Sequence, residues 1–264
     1  MPLDEHSQTS MLHEKEEEVF QTMREKLAKH IDLNTLTLDT MAFVINLFPA
    51  TRPSDFKQSS EVVLVLLNRM SDDIRTAGLL SSLGYPLQAA TVIAACHENA
   101  FTALSIGSDD ELGDKWITHD DPKLAFGKVR NVIRQGYQNL NEPNVDSETE
   151  AEYKTYAQLC QAKHTNPLIQ KLHSLRIEDN RISLTNGPDS SEQAIILASW
   201  TLEHAAHLAY LALRGFKDSH LSLISPTSLA EVREKIDTLK HCITETVTAG
   251  IAKYGNTDPF PGKW

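Results

Sequence analysis

Three places in the chain carry residue types able to do chemistry. The long, nearly uncharged run 191–216 contains Glu203, His204 and His207. His204 and His207 are three apart, so a helix sets them on one side, where they can hold a divalent metal with a carboxylate from a facing helix. The order Glu-His-x-x-His is neither the His-Glu-x-x-His of zincins nor the Glu-x-x-His of di-iron bundles. Core histidines bonded to backbone or water are therefore the cheaper account, and a metal on His204, His207 and Glu203 ranks second. The alanine-rich segment 87–106 holds the second place. On a helical wheel Ile93, Cys96, Ala100 and Leu104 share a face, His97 falls on its edge, and Glu98 lies further round near Thr91, Asn99 and Thr102. Glu98 reads as an inward-leaning carboxylate able to pair with a histidine or cation from another helix. His97 reads as a core histidine. The third place is Trp116 to Asp121, where His119 adjoins Asp120 and Asp121. A neighbouring carboxylate raises an imidazole's pKa, although Asp121-Pro122 is also an ordinary helix start.

The elements that must position these groups read as helices almost throughout. Apolar spacing predicts helices over 11–31 and 38–48, with a break at Leu33-Asn34 and a stop at Pro49. Further helices follow over 56–83, 87–106, 110–117 and 123–140, with Gly84 as the C-cap of the first. An acidic loop is expected at 141–149, then helices over 150–162, 168–175 and 191–216. The last helix is expected from Ser228, capped with Glu231, to Tyr254. Residues 176–185 are the one good β-hairpin candidate. The fold class is thus all-α, a bundle of about eight to ten helices with one short hairpin. Residues 1–10 are expected to be disordered, 11–254 to form a single helical domain, and 255–264 to be an extended tail.

Composition narrows the functions. Of 264 residues 41% are hydrophobic and only 6% aromatic, with alanine and leucine dominant, which suits helices. A net charge of -11 argues against general nucleic-acid binding. Cys96, Cys160 and Cys242 lack CxxC spacing and read as buried thiols. The N-terminus has no basic and apolar signal pattern, and no apolar run nears the ~20 residues of a membrane span. A cytoplasmic, soluble protein is the expectation.

Two motifs support a family resemblance. Leu83-Gly84 through Glu98, followed by Trp116 to Asp121, and the run Tyr156 to Pro167 with His164 resemble an uncharacterised all-helical bacterial family, a domain of unknown function. Its pattern is a Gly-turn, an Ala-rich helix ending in Glu, and then Tyr-x-x-Leu-Ser-x-x-x-His. The resemblance implies a helical fold and one polar cluster shared by Glu98 and His164. Ala94 stands where the family has an arginine, and Cys160 where it has the serine. Separately, Arg24 and His30 repeat an Arg-x5-His spacing that resembles the ribonuclease motif of the HEPN superfamily. The leading expectation is a protein that binds a partner protein or small ligand at a polar pocket near Glu98, His119, Asp120 and His164, with no cofactor required. The alternative is an enzyme, a HEPN-like ribonuclease or a divalent-metal-dependent hydrolase. A homodimer packed through apolar helices is a third, structural option.

Overall fold

The computed structural model describes residues 5–47, 56–118, 129–164, 175–178, 181–184, 187–220, 223–255 and 259–260. Among these, nine helices carry the fold: α1 (Glu5–Lys26), α2 (Ala28–Ile45), α3 (Gln58–Ser82), α4 (Pro86–Ile106), α5 (Asp110–Thr118), α6 (Val129–Asn139), α7 (Val145–Lys163), α8 (Glu192–Ser219) and α9 (Pro226–Tyr254). Two four-residue strands, β1 (Leu175–Glu178) and β2 (Arg181–Leu184), pair antiparallel with Leu175 opposite Leu184. The helices alone set the fold class, an all-α bundle. No helix of the described residues is long and apolar enough to cross a membrane.

At the centre lies α4, packed by α3, α6, α7 and α8. Its alanines at 89, 90, 94, 100 and 103 are buried, and small side chains let neighbouring helices come close without leaving voids. On the far side of α8 stand α2 and α9. A smaller apolar cluster of Val19, Met23, Leu27, Ile195 and Ala198 ties α1 to the start of α8.

Several expected boundaries move, each for a local reason. The break falls at Leu27 and not at Leu33-Asn34, because Leu33 is a buried position on the inner face of α2. The N–H of Leu27 still bonds Met23 O at 2.8 Å, so the chain bends there without leaving helical bonding. The expected acidic loop 141–149 gives way to α7 from Val145. Asp146 and Glu148 sit in its first turn, where the helix dipole favours acids. The cap of α9 is Ser225 and not Ser228. Its Oγ accepts from Ser228 N at 3.1 Å, and Pro226 fits the first turn. Most of the expected helix 168–175 lies outside the described residues.

Gly84 makes the turn between α3 and α4. Tyr85 N bonds Leu80 O at 2.8 Å and Gly84 N bonds Ser81 O at 3.2 Å, the paired bonds of a Schellman motif. Gly84 has φ +80°, and a Cβ there would meet Val19 Cγ1 at 2.4 Å and the Asp189 backbone at 2.9 Å. Gly84→Ala is expected to destabilise the fold by about 2 kcal/mol or more, read as a lower urea midpoint at unchanged slope. An unchanged midpoint would contradict this account of the turn.

Candidate functional site

The densest polar cluster inside the bundle is built on Glu152 of α7. Thr149, Glu152, Gln158, Leu159 and Ala162 are the buried positions along this helix, so the spacing that docks α7 carries an acid into the core. The side chain of Glu152 is only 7% exposed. Among the described residues it pairs with no lysine or arginine, only with histidines. His97 Nε2 of α4 lies 2.9 Å from Oε1 and donates to it, since a carboxylate only accepts. From α8, His204 Nε2 is 3.3 Å from the same oxygen, and His207 Nε2 is 3.8 Å from Oε2. Tyr137 of α6 donates to Oε2 at 3.3 Å. His97, fully buried, is held by ring packing, 4.8 Å from Phe101 and 4.9 Å from Tyr156. His204 stacks between His97 at 5.9 Å and Trp200 at 5.6 Å.

Burial by itself pushes the Glu152 carboxyl upward. The imidazoles of His204, His97 and His207 outweigh that and hold it at about 2, against an ordinary 4.5. Burial pushes His204 down to about 3 from 6.5, against the pull of Glu152. At neutral pH the pair is therefore a carboxylate beside a neutral imidazole. With His204 neutral, the hydrogen bond from His97 is the firmest attraction keeping Glu152 charged. Burial and the charge of Glu152 raise Tyr137 above the usual phenol range, so it stays a donor. His204 Nε2 is buried and lacks a hydrogen bond of acceptable geometry despite facing the carboxylate.

The carboxylate that faces His204 and His207 is thus Glu152, on the opposite wall. Glu203 turns away: its Oε1 accepts from His30 Nε2 of α2 at 2.9 Å. Glu98 also engages α7, accepting from Tyr156 OH at 2.7 Å and Lys163 Nζ at 3.0 Å. His164, the next residue, is exposed and ends the helix. His119 and Asp120 lie outside the described residues. Arg24 is exposed over the Phe20 ring at 5.5 Å, whereas His30 is buried on the next helix. A cavity of about 310 Å³ opens between α8 and α9, with Glu203, His204 and His207 in its wall. The chain matches no protein-family model, no curated protein and no solved structure.

Both depressed pKa values make the unfolded chain the better proton acceptor in acid. The His204 contribution is full above pH 6.5 and is lost as pH falls towards 3; that of Glu152 is full above 4.5 and is lost towards 2. The urea midpoint is expected to fall from pH 7 to 5 and more steeply below 4.5, with Glu152→Gln lacking only the lower limb. A midpoint flat from pH 7 to 5 would contradict the assignment of His204.

Proposed function

We propose that this chain binds a divalent transition metal of the zinc class at His97, Glu152 and His204, beside a cavity that takes a small ligand. The observation that carries the reading is the convergence of imidazole Nε2 atoms from two helices on one buried carboxylate that no lysine or arginine of the described residues neutralises. Two imidazoles and a carboxylate are a common zinc donor set, and their ligand atoms all lie within 4.8 Å of one another. Bonds of about 2.0–2.1 Å in a tetrahedron hold ligand atoms about 3.3 Å apart. The separation of His204 Nε2 from Glu152 Oε1 is 3.3 Å. Metal ligands must be deprotonated, the state burial and charge already impose on His204 and Glu152. His97 would give up the proton that now bonds Glu152.

A bound zinc-class ion supplies Lewis acidity and lowers the pKa of water. The residues of this chain set what reaches it. Tyr137 steadies Glu152 through Oε2, the oxygen that His207 also faces, and Trp200 covers one face of His204. His207, with 39% of its side chain exposed, joins the cluster to the cavity.

Zinc titration of chelator-treated protein, read by calorimetry and elemental analysis, is expected to show one equivalent. His204→Ala and Glu152→Ala should each weaken it about 100-fold or more, with His164→Ala unchanged. Zinc at about 100 times its Kd should add about 2.7 kcal/mol to unfolding stability. Less than a tenth of an equivalent, or wild-type affinity in both site variants with native far-UV spectra, would overturn the proposal.

A further inference from the structure

We propose that the cavity between α8 and α9 binds a small primary amine on an apolar body, with Glu203 and Ser199 receiving the ammonium group. Much of the wall is apolar, including Trp200, Ile243, Val247 and Tyr254, and among the described residues no lysine or arginine lines it and Glu203 is its one acidic group. It is also the one charged residue between Glu192 and Arg214, so the sequence places a single negative charge on an otherwise neutral helix. The carboxylate is 18% exposed. Its Oε1 is taken by His30, while Oε2 has no hydrogen-bond partner among the described residues. Ser199 lies four residues earlier, one helical turn away on the same face. Ser199 lines the cavity, and its Oγ is buried with no hydrogen-bond partner among the described residues.

A buried hydroxyl and a half-free carboxylate, stacked one turn apart over apolar walls, ask for a ligand that donates several hydrogen bonds and carries positive charge. An ammonium group has three donors in a compact head and meets both demands. A carboxylate or phosphate would meet Glu203 with no cation to offset it. The opposite helix makes room for the acid: a Cβ on Gly250 of α9 would come within 3.0 Å of Glu203 Oε1. The cavity volume, about 310 Å³, suits a molecule with one ring or a short branched chain. None of these features requires the metal, although His204 of the proposed metal centre lines the same cavity.

Calorimetric titration of metal-stripped full-length protein at pH 7.5 tests the assignment with three probes of one shape: phenethylamine, phenethyl alcohol and phenylacetate. The amine is expected to bind at one site at least tenfold more tightly than the alcohol, with no binding of the carboxylate. Glu203→Gln should weaken the amine at least tenfold and leave the alcohol unchanged; Ser199→Ala should weaken it several-fold. Gly250→Ala should also weaken it, by displacing the carboxylate. Zinc binding by Glu203→Gln should match the wild type, which separates failure here from failure of the metal centre. Equal affinity for amine and alcohol, or an amine affinity indifferent to Glu203→Gln, would overturn the proposal.

Discussion

A carboxylate buried with no lysine or arginine beside it among the described residues is the constraint on which the arrangement of α4, α7 and α8 depends. Removing an ionised carboxylate from water costs several kcal/mol unless hydrogen bonds and opposite charge replace the lost hydration. Glu152 recovers that through His97, the two histidines of α8 and the Tyr137 hydroxyl. The groups come from three helices besides α7, so the polar requirement of one side chain constrains the rotation of each. Shifting α7 by one residue would swing Glu152 by about 100° and leave the charge against apolar surface.

The α4–α7 interface is polar twice over, in opposite senses. Inside, α7 provides the acid and α4 the imidazole; at the edge, α4 provides Glu98 and α7 the Tyr156 hydroxyl and the Lys163 ammonium. This reciprocity makes the pairing directional, because a helix turned end for end would set acid against acid. On α8 the consecutive residues Glu203 and His204 serve different neighbours, His30 of α2 and Glu152 of α7. The helix thus joins the two, with Glu203, His204 and His207 all in the cavity wall and the imidazoles also facing the buried carboxylate.

Much of the fold was legible because apolar spacing and turn residues act locally. The helices over 56–83, 87–106 and 191–216 are recovered within three residues at each end, and Gly84 ends α3 as its conformation requires. That His204 and His207 share a side of one helix was legible, whereas the acid they face was read as Glu203 or left to an unnamed facing helix. Glu152 itself was not legible. The signal existed: Val145, Thr149, Glu152, Tyr156 and Leu159 follow one helical face, and Glu152 interrupts it. Reading 141–149 as an acidic loop cut off the first turn of that face, and the surrounding glutamates made the helix look like a surface one. The partners of Glu98 were hidden for a different reason. Which of Tyr156, Lys163 or His164 meets it depends on the rotation of α7, which Glu152 sets from the other side.

The turn at Gly84 does more than reverse the chain. Its carbonyl accepts the N–H of Asp189 at 2.9 Å, and Asp189 in turn receives Ser191, the residue that caps α8. A single hydrogen bond therefore links the α3–α4 hairpin, a local structure, to the start of a helix roughly a hundred residues later. Closing so long a loop costs more chain entropy than any local contact, though the cost grows slowly with length. His97 and Glu152 are brought into register only by non-local docking, and His204 joins them only once α8 is seated. The cluster around Glu152 is consequently a property of the closed topology, built from contacts far apart in the sequence.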